Sequence, residues 1–264
     1  MFTGFPEATE QFLIDLRLHT DGAWFNENKP RYLRDVQAPF YALIEDLIPV
    51  MQEIDPLIEI RPYKILSRIR RDTRFSRDKS PYRDHLWMWF KRGGEDRWKS
   101  LGYWFEFGPG RLGWGMATWD ENRPMMDRFR RELAADPARI GGLLHGMGLA
   151  ERHLLVTGDR FHRLEVPPSV PDTLRGWYLL KEPAIIQTRF NPGEASRREL
   201  FGHVAADWRA MAPLYRLLRG LTDAEGEAEA AAPAAPAEKP VPSRRRKPPD
   251  GASGLPGKKY EDEW

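Results

Sequence analysis

Leu101-Gly102-Tyr103-Trp104-Phe105-Glu106-Phe107-Gly108-Pro109-Gly110-Arg111-Leu112-Gly113-Trp114-Gly115-Met116-Ala117-Thr118-Trp119 decides how this chain folds. Two aromatic runs, Leu101 to Phe107 and Leu112 to Trp119, flank Gly108-Pro109-Gly110-Arg111, whose composition makes a hairpin turn. Upstream, Leu86-Trp87-Met88-Trp89-Phe90 is a further apolar run, and Ile65 and Ile69 alternate with Leu66, Arg68, Arg70 and Asp72, so both stretches read as strands. His153 to Val156 and Ala184 to Phe190 give two shorter candidates. The connections between the aromatic runs are too short for crossover helices, which makes the sheet antiparallel.

Helical spacing flanks this centre on both sides. Pro6-Glu7 opens a first turn, and Phe12, Leu13 and Leu16 carry the helix to about His19. Thr20 or Asp21 caps a second helix through Lys29, and Pro30 restarts the pattern. Tyr32, Val36, Phe40, Leu43, Leu47 and Val50 continue it as a long helix kinked at Pro39 and ending between Pro49 and Ile54. After the sheet, helices are expected over Pro124 to Ala135, over Pro137 to His145, and from Gly193 to about Leu221, while Gly146 to Pro183 reads as loop-rich. The expected architecture is α+β, an antiparallel sheet with packed N-terminal and C-terminal helices, in one domain over residues 1–221. Residues 222–264, charged and rich in Pro and Ala, have almost nothing apolar to bury and read as a disordered tail.

Composition narrows the function classes. The chain has no cysteine, which removes disulfides, thiolate nucleophiles and Cys-ligated metals. Its N-terminus lacks the basic start and apolar run of a secretory signal, and no apolar stretch approaches the roughly 20 residues of a membrane span. A soluble cytoplasmic protein with no membrane partner is expected. The net charge is +2, too small to diagnose a nucleic-acid binder. The six histidines form no His-Glu-x-x-His spacing, so neither a metal nor another cofactor is expected. Gly-x-Ser-x-Gly and the phosphate-loop pattern are both absent, and the Gly108/Gly110 and Gly113/Gly115 pairs sit between strands, the wrong context for a dinucleotide fold.

Arg68-Ile69-Arg70-Arg71-Asp72-Thr73-Arg74-Phe75-Ser76-Arg77-Asp78-Lys79-Ser80-Pro81-Tyr82-Arg83 holds seven cations against two carboxylates. On a strand, Arg68, Arg70, Asp72 and Arg74 project to one face. The following Ser- and Asp-rich loop presents Lys79 and Arg83 with backbone donors suited to a phosphate. The same residues also fit an internal salt-bridge lattice in which Asp72 and Asp78 fix the arginines. Glu106, among aromatics, is either a carboxylate in a cleft or an outward partner for arginine. The tryptophans at 87, 89, 104, 114 and 119 are either a stacking groove or core.

Two signatures in this chain resemble those of an uncharacterised bacterial family of domains of unknown function. One is Trp-Phe, two residues, then Asn-Lys, standing here as Trp24-Phe25-Asn26-Glu27-Asn28-Lys29. The other is Arg-Asp-x-Arg-Phe-Ser-x-Asp-Lys-x-Pro-Tyr-Lys, standing as Arg71 to Arg83 with Arg83 in place of the usual Lys. The resemblance extends to about Leu218, although Ile185 to Phe190 replaces a more basic stretch. That family has no established activity, so the resemblance implies which residues form a site without implying a reaction. The expected ligand-binding set is Arg68, Arg70, Asp72, Arg74, Ser76, Asp78, Lys79, Tyr82 and Arg83, with Trp24, Asn28 and Lys29 closing one wall. The expected partner is a phosphate-bearing or other anionic small molecule. The alternatives are a structural module and a nucleic-acid binder.

Overall fold

The computed structural model describes residues 1–19, 21–74, 79–96, 98–187 and 192–220. Residues 222–264, expected to form a disordered tail, lie outside the described residues, as do Ser76 and Asp78 of the expected site.

Three strands, β1 (Leu86–Phe90), β2 (Gly102–Gly108) and β3 (Arg111–Ala117), form an antiparallel meander, and Gly110 supplies the positive φ of 68° that its two-residue turn requires. β4 (Leu154–Thr157) and β5 (Ala184–Gln187) complete the sheet in the order β1-β2-β3-β5-β4, every pair antiparallel. Register sorts the aromatics between the two faces. Met88 pairs with Phe105 and Phe105 with Trp114, while Phe90 leads through Tyr103 and Met116 to Ile185, and all of these are buried in the main core. The alternate residues face the other way. Trp89, Trp104, Ala117 and Ala184 form a small second cluster there, against which Trp119 and Ile186 pack.

The helices cover the core face. α1 (Glu7–Leu18) follows Phe5, whose ring stacks on Phe107 at 4.6 Å. α2 (Gly22–Arg31) is capped by Asp21, which accepts from the Trp24 N–H at 2.8 Å. It does not stop at Pro30. The chain passes through a π-helical segment (Tyr32–Gln37) straight into α3 (Ala38–Ile54). In the π turn, the Ala38 N–H reaches back five residues to the Leu33 carbonyl. Pro39 has no N–H for the Asp35 carbonyl four residues earlier, and the buried Thr9 hydroxyl of α1 donates to that carbonyl instead. The expected kink is therefore a widened turn held by α1.

The expected strand at 65–72 is not formed. Pro62–Ile65 is one short helical turn, α4, and residues 66–71 run beside 81–88 through only two isolated bridges, Leu66 with Met88 and Arg70 with Tyr82. Four residues separate the bridges on one arm and six on the other, so the ladder cannot keep step. Ser67 also takes the Trp87 N–H on its side-chain oxygen at 3.1 Å, using a donor that a regular strand would give to a carbonyl.

Beyond β3, α5 (Arg123–Ala135) and α6 (Pro137–Gly146) pack on the long α8 (Glu199–Arg219), whose Trp208 meets Phe90 and Tyr103. The loop-rich reading of 146–183 missed α7 (Asp172–Tyr178), although Val170, Leu174 and Trp177 stand at helical spacing. α8 and α3 are joined by a polar network. Fully buried Asp55 accepts from Arg92 Nε at 2.8 Å, from the Tyr215 hydroxyl at 2.6 Å and from the Leu57 N–H at 3.0 Å. Arg219 donates to the Tyr215 oxygen at 3.1 Å, to Glu95 at 2.6 Å and to the Leu101 carbonyl at 2.6 Å.

Candidate functional site

A cleft of about 360 Å³ opens where α2, the π segment and α3 face the irregular arm 66–70. Its cations are Lys29 from α2 and Arg68 and Arg70 from the arm. The two arginines stand on either side of buried Ile69, so the two-residue alternation read from the sequence survives locally even though the ladder does not. Among the described residues, no aspartate or glutamate lines the cleft. Arg68 and Lys29 are exposed, and their side chains make no hydrogen bond or ion pair with any described residue. The Arg70 guanidinium lies 5.4 Å over the ring of Tyr82, which is itself stacked on Phe25 at 4.4 Å. Exposed lysines and arginines are ordinary, but three lining one concavity with no acid among them leave positive potential uncompensated.

The rest of the lining is aromatic and neutral. Phe25, Tyr32, Tyr41 and Tyr63 contribute rings, and Asn26, Gln37 and Ser67 contribute hydrogen-bonding groups. The π turn sets two of these, Tyr32 at its start and Gln37 at its end. Burial pushes the Tyr32 hydroxyl up to about 12, with Tyr41 adding to the effect, so Tyr32 stays neutral at any working pH.

The other motif residues have different roles. Asp72 and Arg74 form a forked pair at 2.9 and 2.6 Å, both side chains exposed, and those hydrogen bonds hold the Asp72 carboxyl well below the usual carboxylate range. Lys79 Nζ donates to the Thr73 carbonyl at 2.8 Å, across the neck of the loop. The Arg83 guanidinium sits 4.6 Å over the Trp87 ring. Tyr82 is buried and braces Phe25. Trp24 and Asn28 turn towards α1. Trp24 stacks on His19 at 4.9 Å, while Asn28 donates to the Trp24 carbonyl and accepts from Arg31, which reaches Asp15 at 2.9 Å. The structure thus gathers Lys29, Arg68 and Arg70 of the expected set into the cleft. Phe25 and Asn26, the neighbours of Trp24 in its own motif, line the wall assigned to Trp24 and Asn28. Tyr41 and Tyr63, missed from sequence, carry the same helical or turn context as core residues, and only their hydroxyls hinted at a wet position.

The second face of the sheet holds Glu106 and His85, both buried. His85 Nδ1 lies 2.7 Å from Asp84, and its Nε2 lies 3.6 Å from Glu106, to which Arg111 also comes within 3.6 Å. The His85 hydrogen bond, aided by Arg17, holds Asp84 below the ordinary carboxylate range. Trp89 and Trp104 are buried rather than open, and Trp114 belongs to the core, where its indole N–H donates to Asp207 at 2.9 Å. Gly113 and Gly115 make the bed for Trp104: a Cβ on Gly115 would fall 1.9 Å from the Ile185 carbonyl oxygen. Among the described residues, no group of three His, Asp or Glu is placed to hold a metal ion, and no helix is long and apolar enough to cross a membrane.

Fold and cleft together define an α+β protein with one antiparallel sheet, helices on its core face, and a cation-lined cleft at the sheet's irregular edge. The chain belongs to the family described as conserved hypothetical protein DUF2461, whose family model matches residues 8–217. That span takes in every residue of the cleft. Comparison with curated proteins and with solved structures found no match.

Proposed function

We propose that the cleft binds a phosphate-bearing or other anionic small molecule, with Arg68, Arg70 and Lys29 supplying the charge. The observation that carries this reading is the split within the basic segment. Arg74 and Lys79 are spent on Asp72 and on the Thr73 carbonyl, whereas the three cations at the cleft have no acidic partner there among the described residues. An arriving anion would supply a counter-charge that no described lining residue provides, and guanidinium groups offer it paired donors. The salt-bridge reading keeps support in the loop half of the motif, where Asp72 fixes Arg74.

The test is a thermal-shift series with orthophosphate, pyrophosphate and citrate on the parent chain and on the double variant Lys29→Met, Arg68→Met. A bound anion at a hundred times its dissociation constant stabilises by about 2.7 kcal/mol. The parent should shift with at least one of the three anions and the variant with none. Equal shifts in both proteins, or none in either, would remove the cleft as the binding site.

A further inference from the structure

We propose that the ligand of this cleft is of the mononucleotide class, a planar ring joined to a single phosphate; this rests on the anion reading above and deepens it. An anion alone needs cations and donors, and a purely electrostatic site has no use for rings around it. Here four aromatic side chains share the cleft with the three cations, and Tyr63 among them is 65% exposed. An exposed ring beside an uncompensated positive cluster is a stacking surface for a base whose phosphate sits on the arginines.

The neutral side chains fit the same occupant. Asn26 and Gln37 each offer a carbonyl acceptor and an amide donor, the pair of functions a base edge presents. Ser67, carried on the arm between α4 and Arg68, offers a hydroxyl beside the phosphate end. Tyr32 remains protonated, so it adds a neutral polar group without repelling a phosphate.

Size and charge placement argue against a polymer. A volume near 360 Å³ lies at the small end for small-molecule sites. A nucleic-acid strand would also need the cations to continue as a track, yet three described cations further along the segment are engaged: Arg74 with Asp72, Lys79 with the Thr73 carbonyl, and Arg83 on the Trp87 ring. Among the described residues, Lys29, Arg68 and Arg70 form one cationic cluster in the cleft.

Isothermal titration of the full chain with AMP, CMP, ribose 5-phosphate, orthophosphate and adenosine tests this, alongside Tyr63→Ala and Arg68→Met. Tyr63 is largely exposed, and near-ultraviolet circular dichroism verifies that its variant is folded. The expected result is a nucleoside monophosphate bound at least about tenfold more tightly than ribose 5-phosphate, since stacking on one ring is worth about that factor. Tyr63→Ala should erase the advantage and leave ribose 5-phosphate binding unchanged, while Arg68→Met should weaken both. Ribose 5-phosphate or orthophosphate binding as tightly as AMP would overturn the ring and spare the anion reading. Adenosine binding as tightly as AMP, or no ligand binding at all, would overturn both. A single-stranded oligonucleotide that binds more tightly than AMP, with affinity falling steeply in salt, would replace the mononucleotide with a strand.

Discussion

The charges around Asp55 and those at the cleft are handled in opposite ways. Asp55 is fully buried, and each of its neighbours is matched: Arg92 and Tyr215 on the carboxylate, Arg219 on Tyr215, Glu95 and the Leu101 carbonyl. Lys29 and Arg68 reach water and have no partner among the described residues. Burial explains the contrast. An interior charge without a partner costs several kcal/mol, so a folded chain keeps interior charges only in complete sets. Water solvates the cleft cations, so the fold places no demand on them and they remain open to a ligand.

The largest effect is therefore expected at Asp55. Asp55→Ala leaves Arg92 and the Tyr215 hydroxyl inside without an acceptor and should cost about 3–5 kcal/mol in urea denaturation. A loss below about 1 kcal/mol would show that the network is not the clamp between α3 and α8, and the contrast with the cleft would collapse. Acid sharpens the same point. Burial alone would raise the Asp55 carboxyl, but hydrogen bonds from Arg92 and Tyr215 outweigh it and hold the group below its ordinary 3.8. A depressed folded value gives stability that is complete above the unfolded value and drains away as pH falls through the folded one. The melting temperature should accordingly drop below about pH 4, and Asp55→Asn, already without that carboxylate, should show a shallower drop from its lower starting point.

Thr9→Val comes next. It keeps the shape of the side chain and removes the hydroxyl that donates to the Asp35 carbonyl that Pro39 cannot serve, which is worth about 1–3 kcal/mol. An unchanged denaturation midpoint would mean that the π turn satisfies itself.

This joint also marks where the sequence stopped being legible. Pro30 and Pro39 announced a break in the helix, but the repair comes from Thr9, 26 residues before the carbonyl it serves, and no local pattern carries that information. The aromatic meander was legible because strand alternation is a local signal and Gly110 punctuates it. The arm at 65–72 was misread as a strand: alternation was present, but the mismatch in step with 82–88 is a property of two segments together. The cleft divides in the same way. Arg68, Arg70 and Lys29 were visible as charge, whereas Tyr41 and Tyr63 matter only because separate elements bring them to one hollow.

Within the basic segment itself, Asp72→Asn tests the loop half. The pair it breaks is exposed on both sides, where screening and side-chain entropy cancel most of the attraction, so the melting temperature should not move measurably. A clear drop would favour the salt-bridge lattice over the anion site.

Arg68→Met should act with the opposite sign. Arg68→Met removes one of three like charges that share a cleft of about 360 Å³, a hollow narrower than the roughly 10 Å over which charges feel one another at 0.1 M salt. No acidic side chain among the described lining residues offsets their repulsion, so deleting one should leave the folded state slightly more stable at low ionic strength. The gain should vanish in 1 M salt, where the screening length is about 3 Å. Salt-dependent melts of parent and variant read both signs. If Arg68→Met destabilises at low salt, Arg68 has a counter-charge after all, and the feature that separates the cleft from the Asp55 network is lost.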